Sequence, residues 1–403
     1  MDFALSAEQQ MLVDTIRRLR EDHIDLLEPH VREWIDDPQE RFPWDIVERG
    51  SQLGLRTLAA PERYGGGGAS VLTLCLAAEE LAAGDMGIAV IFDQVWKITH
   101  LIESLATEEQ MQWFFPRFVE DDRYLLSAAF NEPDHGTDSA LSRYLHDYEG
   151  RTVAYETTAR LEKGTWTING RKAMPSLGST ASMVLVMANT EPGEPIHSGT
   201  SLFFVPRDTP GMQVDQVWDK IGQRLVDNAS VVFEDCKVPE SHLLGPRGRA
   251  RALPYPGGSN IEAGATTLGT ARAAYEAALR FARERVQGGR PVIEHQSIGF
   301  MLVEMATELE AARMLVWRAA VAHDEQAPEA RMLRPMAKWY PAEVAVDVCL
   351  KAMEIFAGAA IMKEVPVQKY LRDCLSFLHS DGTQQSRKAL IQHELLRETR
   401  PRR

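Results

Sequence analysis

Cysteine is scarce in the 403-residue chain, with only four present. Cys75, Cys236, Cys349 and Cys374 are far apart and form no C-x-x-C pair, which argues against a zinc site or a disulfide framework. Free thiols in a reducing cytoplasm are the expectation. No apolar run approaches the ~18 residues needed to cross a bilayer, so no membrane insertion is expected. The opening residues Met1-Asp2-Phe3-Ala4-Leu5-Ser6 lack a basic stretch followed by an apolar one, and export is not expected. Basic residues are also short, 44 against 58 acidic ones, for a formal net charge of −14. A nucleic-acid footprint needs a basic face, so no such partner is expected. The end Arg400-Pro401-Arg402-Arg403 reads as a solvated tail. Neither G-x-G-x-x-G after a strand nor a P-loop occurs, so any nucleotide is held in another way.

What is present is ordinary globular composition, 44% hydrophobic and 25% charged. The length suits two or three domains of roughly 100–200 residues. Ser6-Ala7-Glu8-Gln9 has the form of a capping box, and Leu12, Ile16 and Leu19 follow on one helical face. Pro61 and the run Gly65–Gly68 break the pattern before helical blocks at 71–83 and 88–104. From Arg123 the texture becomes β. Short runs at 165–168, 183–187, 201–205 and 230–233 read as strands, and Asn169-Gly170 predicts a hairpin turn. Helical texture returns after Val238-Pro239, over 261–286 and 296–322. Pro335 and Pro341 predict breaks, with a new helix starting at Pro341 and running to about Phe356. This order predicts an α+β chain: an N-terminal helical domain (1–122), a middle β-barrel or sandwich domain (123–238) and a C-terminal helical bundle (239–403).

Four segments carry a family resemblance. Phe130-Asn131-Glu132-Pro133-Asp134-His135-Gly136-Thr137-Asp138 resembles the flavin-loop signature of acyl-CoA dehydrogenases. Asp219–Arg224, with Phe233-Glu234-Asp235 and Val238-Pro239, resembles the end of that family's β domain. Arg285–Pro291 with His295-Gln296 resembles its interface flavin motif, and Asp381-Gly382-Thr383-Gln384-Gln385 stands where the family has its catalytic Glu-Gly-Thr. The resemblance spans essentially the whole chain. It implies FAD held between the β domain, the C-terminal helices and a neighbouring subunit of a homotetramer or dimer of dimers. It also implies an acyl-CoA substrate and an electron-transfer flavoprotein or other electron acceptor.

Residue by residue, the resemblance puts Phe130, Asn131, Thr137, Met174, Ser176, Arg285, Gln296, Glu354, Gly358, Thr383 and Gln385 at the cofactor. Asp381 becomes the catalytic base: on local sequence alone an Asp-Gly turn or helix cap before Thr383 is the better reading, and only its place in the family pattern reverses that order. Asp93, Ser259 and Asn260 fall along the acyl pocket. Asp93 lies between Phe92 and Trp96 and reads either as a pocket acid, a possible second base, or as a solvated helix residue; Glu262 stays open as an alternative base. This chain departs from the family pattern in several places. Met174 replaces a flavin-stacking Trp and covers a ring face without aromatic stacking. Ser380 replaces an aromatic residue, Asn260 an Arg, and Glu354 a Gln. The shorter Asp381 favours a branched or cyclic acyl group. A nitroalkane-oxidase-like flavoenzyme, a flavin monooxygenase and a flavin-poor, non-catalytic subunit of a heteromeric dehydrogenase are the other readings.

Overall fold

The computed structural model describes residues 4–24, 29–141, 153–252 and 258–399. Helices Ala7–Leu19, Trp44–Gln52, Val71–Gly84, Met86–Leu105 and Glu108–Glu120 precede the strands. Helices Ser259–Glu284, Gln296–Asp324, Ala330–Phe356, Val367–Ser376 and Gln384–Thr399 follow them. The first helix begins as its sequence predicts. Ser6 Oγ accepts from the Gln9 amide while Gln9 Oε1 accepts from the Ser6 amide.

The strands are β1 (Leu126–Ala129), β2 (Thr158–Glu162), β3 (Thr165–Lys172), β4 (Met183–Asn189), β5 (Thr200–Pro206), β6 (Met212–Val217), β7 (Ala229–Pro239) and β8 (Leu243–Leu244). Among the described residues they form one mixed sheet, ordered β6-β7-β3-β2-β4-β5-β8, with β1 parallel to β4. The 108–120 helix seats this sheet on the N-terminal helices. Its Phe114, Phe115 and Phe118 are buried, and Phe114 stacks on Phe204 of β5. Each such ring contributes about 1.5–3 kcal/mol by leaving water.

Two local expectations fail for tertiary reasons. Asn169-Gly170 makes no turn, because β3 runs straight through it. The register shifts there against β7, and an added Cβ on Gly170 would lie 2.5 Å from Thr157 Cα. The glycine therefore serves a bulge and a close approach. The true turn between β2 and β3 is Lys163-Gly164, both at positive φ as a two-residue type I′ hairpin requires. Pro335 and Pro341 likewise do not break the 330–356 helix. Pro341 has no N–H to give the Ala337 carbonyl, and that carbonyl is where the helix meets Gly264: a Cβ built on Gly264 would sit 1.9 Å from it. Packing against the 259–284 helix holds the backbone helical where propensity alone would not.

The 259–284 helix is the axis of the molecule. Gly269 lets it approach the 71–84 helix, where a Cβ would sit 2.1 Å from the Glu79 carbonyl. Glu80, buried on that same helix, accepts from Arg272 Nη2 at 2.7 Å and from Arg20 Nη1 at 2.9 Å. A second buried knot ties the sheet domain to both helical parts. Lys369 Nζ lies 2.7 Å from Asp85 and 2.6 Å from Asp373, while Asp373 accepts the Gln223 amide at 2.6 Å.

Candidate active site

Asp381 lies in the short loop before the 384–399 helix. It and Gly382 are both left-handed, at φ 51° and 88°. Asp tolerates that region better than most residues, and Gly does so freely. Lys338, buried on the 330–356 helix, clamps this loop. Its Nζ donates to the Phe377 carbonyl (2.6 Å), the Gly382 carbonyl (2.6 Å) and Gln384 Oε1 (3.1 Å). Burial pushes the Lys338 ammonium down to about 8, against the pull of Asp381. The cap role offered by Asp-Gly-Thr falls to Thr383, whose Oγ1 accepts the Ser386 amide at 3.2 Å. Asp381 is thereby left to turn its carboxylate elsewhere.

It turns toward the 86–105 helix. Asp381 Oδ2 accepts from Lys97 Nζ at 2.8 Å, and its side chain keeps 30% exposure. Lys97 in turn lies 2.5 Å from Asp93 Oδ2, one helical turn away. Asp93 is fully buried, so the solvated-residue reading of it is wrong. Burial raises its carboxyl to about 6, with the Lys97 charge opposing and the Asp381 charge adding. Glu262 is also fully buried, and the Asp93 and Glu262 carboxylates act on each other electrostatically. Burial, then the Asp93 charge, hold the Glu262 carboxyl well above the usual carboxylate range. Lys97 stays charged: burial works against it, but Asp381 and Asp93 outweigh that and raise it above its ordinary value. The four groups thus run inward from a solvent-touching carboxylate to a buried acid.

Asn260 joins the same region, with Oδ1 accepting from Arg387 Nη1 at 2.8 Å. Ser259 precedes it at the start of the 259–284 helix and is half-buried. Thr383 and the exposed Gln385 follow Asp381 directly.

The loops after β1 and β3 come together separately. The Ala173 amide donates to the Asn131 carbonyl at 2.9 Å, and Asn228 Nδ2 donates to the Met174 carbonyl at 2.8 Å. Beneath them Lys172 and Glu132 form a buried ion pair at 2.7 Å. The Ser127 hydroxyl holds the Ser176 carbonyl. This frame presents Met174, 58% exposed and at φ 53°, beside the half-buried Phe130 and the exposed Asn131. An apolar side chain fixed outward next to amide and hydroxyl groups fits a flat ring with a polar edge, so these residues suit a flavin. Thr137 opens the short 137–141 helix and is exposed.

Arg285, Gln296, Glu354 and Gly358 do not join either group. Arg285 lies just past the last residue of the 259–284 helix, whose 26 residues span about 39 Å at the usual rise. All four are exposed, and an added Cβ at Gly358 meets nothing within 4 Å. Within one chain no close contact calls for that glycine. The residues after Arg285 form a small hairpin, with Gln287 opposite Arg290 and Gly288 and Gly289 at its tip, both left-handed.

Sequence reasoning missed Lys97 and Lys338. Lys97 follows directly on the apolar run that drew attention to Asp93 and completes an i, i+4 pair with it. A lysine inside so apolar a helix is itself a signal. Lys338 gave none, since its partners are carbonyls about forty residues later in sequence.

Residues 6–122, 127–236 and 259–396 match the family models for the N-terminal, middle and C-terminal domains of acyl-CoA dehydrogenase. An acyl-CoA dehydrogenase of Bacillus subtilis (strain 168) is 32% identical over 368 residues, spanning 90% of this chain and 92% of that protein. The mitochondrial short-chain specific acyl-CoA dehydrogenase of Rattus norvegicus is 31% identical, spanning 90% and 85%. The solved structure of butyryl-CoA dehydrogenase from Megasphaera elsdenii superposes with a TM-score of 0.88 at 30% identity, covering 98% of this chain and all of that one.

Proposed function

The chain belongs to the acyl-CoA dehydrogenase family, and from that premise we propose that it desaturates a branched or cyclic acyl-CoA at the α and β carbons, with Asp381 as base. The family makes it an FAD-dependent oxidoreductase acting on acyl-CoA. Bound FAD supplies the hydride acceptor. The chain's own residues handle the proton.

The α-proton of a thioester is only weakly acidic and needs a carboxylate held against it. The observation that supports Asp381 is its placement: a partly exposed carboxylate on a clamped loop, with one oxygen taken by Lys97. A carboxylate has further lone pairs with which to take a substrate proton. Glu262, the alternative base, is fully buried, whereas the Asp381 carboxylate is partly exposed, which favours Asp381. Aspartate is one methylene shorter than glutamate, a retreat of about 1.5 Å, and about 1 Å of misplacement can cost a hundredfold in rate. A bulky acyl group pressed toward Asp381 closes that gap. Asp93, Ser259 and Asn260 would face the acyl part. Phe130, Asn131, Thr137, Met174, Ser176, Thr383 and Gln385 would hold one flavin. Arg285, Gln296, Glu354 and Gly358, at the far end of the 259–284 helix, would serve a neighbouring subunit's cofactor in a homotetramer or dimer of dimers. Electrons would pass to an electron-transfer flavoprotein or another acceptor.

The test is anaerobic titration of the purified protein with straight, branched and cyclic CoA thioesters and with nitroalkanes, following loss of flavin absorbance. Bleaching by a branched or cyclic thioester is expected. Bleaching by nitroalkanes alone contradicts the reading, as does colourless protein that takes up no FAD.

A further inference from the structure

Lys97 is one of the few charged groups in the buried part of the 86–105 helix, and it reaches across to a loop 284 residues away. Its Nζ lies 2.5 Å from Asp93 Oδ2 and 2.8 Å from Asp381 Oδ2, with both Asp93 and Lys97 at most 5% exposed in their side chains. Burying an ammonium costs several kcal/mol unless its partners are well placed. Asp93 is the local partner of Lys97, as an i, i+4 pair. The second contact, to Asp381, shares in keeping the buried ammonium charged, and it is the one that reaches out of the helix to the loop.

It does give Asp381 something the loop lacks. Lys338 fixes the loop's backbone through the Gly382 carbonyl but makes no hydrogen bond to the Asp381 carboxylate. Asp381 keeps 30% exposure, so its side chain would otherwise choose among rotamers. We propose that Lys97 is a positioning residue for this reaction. Anchored by Asp93, it docks one oxygen of Asp381 and so aims the short carboxylate at the substrate. This rests on the reading of Asp381 as base.

The proton balance is unchanged by this role. The α C–H bond breaks, the proton passes to Asp381, and the electron pair left on the α-carbon forms the new double bond as hydride leaves the β-carbon for FAD. Lys97 gains and loses no proton.

The experiment compares Lys97→Met, Lys97→Arg and Lys97→Met/Asp93→Asn holoenzymes with wild type, using whichever acyl-CoA bleaches the flavin and its α-deuterated form. In Lys97→Met, kcat should fall by about a hundredfold, the scale of a ~1 Å misplacement, with KM within threefold. The α-deuterium isotope effect on flavin reduction should rise above the wild-type value, because proton removal is the damaged step. Lys97→Arg, which keeps a donor and a charge, should recover at least tenfold of the loss. The double variant removes the unpaired buried charge that could unfold Lys97→Met, and it should remain as slow. A folded, FAD-replete Lys97→Met or double variant with wild-type kcat overturns the proposal, as does a slow one whose isotope effect does not move. Asp381→Asn run alongside separates the two ideas. If it is slow while the Lys97 variants are fast, only the positioning role fails. If Asp381→Asn is also fast, the base assignment itself has failed.

Discussion

Replacing Lys338 with methionine keeps the length of the side chain and removes its ammonium. Three acceptors lose their donor: the Phe377 and Gly382 carbonyls and Gln384 Oε1. Leaving a buried acceptor unsatisfied costs about 1–3 kcal/mol, so the two most buried sites together set a loss of about 2–6 kcal/mol. Against this stands the burial of the ammonium, which lowers its pKa from 10.5 to about 8. That shift is worth about 3 kcal/mol in favour of the variant. The two effects largely offset, and a net destabilisation of no more than about 3 kcal/mol follows. Function should suffer more than stability, because the loop that holds Asp381 loses its fixed points. Flavin reduction by a reactive acyl-CoA should fall at least tenfold, given that about 1 Å of misplacement can cost a hundredfold. Urea unfolding with an unchanged slope measures the first quantity, and anaerobic stopped-flow measures the second. A variant that reduces its flavin at the wild-type rate would refute the clamp.

Two further outcomes test the fold. Gly264→Ala drives a methyl into the Ala337 carbonyl, and overpacking of this kind costs typically 1–3 kcal/mol; urea unfolding should show it, whereas Gly193→Ala, at a site with nothing within 4 Å but a left-handed φ, reports strain alone. Burial, with His323 adding, lowers the His100 imidazole from 6.5 to about 4. Between those values the unfolded chain binds more protons, so this part of the stability is present above pH 6.5 and is lost as pH falls toward 4. His100→Gln should flatten the acid limb of stability against pH by no more than about 3 kcal/mol; an unchanged limb would show that His100 is not the group responsible.

Much of the fold was legible because local and global preferences agree. The Ser6–Gln9 capping box and the ends of the 71–84 and 296–324 helices were expected within a residue or two. The failures lie where a distant segment decides. Asn169-Gly170 favours a turn, but pairing with β7 and close approach to Thr157 keep it in a strand. Pro341 favours a helix start, yet the gap it leaves at the Ala337 carbonyl is the place where Gly264 packs. At the candidate site, sequence pointed to Asp93, Glu262 and Asp381 one at a time, and the structure gathers them around one lysine. Nothing in the spacing of residues 97 and 381 announces a 2.8 Å contact. Arg285 and Gly358, which we propose lie at a cofactor, were readable only as members of a family pattern, since their surroundings within one chain are solvent.

Asp381→Asn is the most direct measurement of the base assignment. The amide oxygen can still accept from Lys97, and the loop retains Lys338, so folding and FAD content should match wild type. What disappears is the proton acceptor. Anaerobic stopped-flow with a reactive acyl-CoA should show flavin reduction slowed by about 10²–10⁴-fold, the range of general-base catalysis. A folded, FAD-loaded Asp381→Asn enzyme that bleaches at the wild-type rate would contradict the assignment and return attention to Glu262 and Asp93.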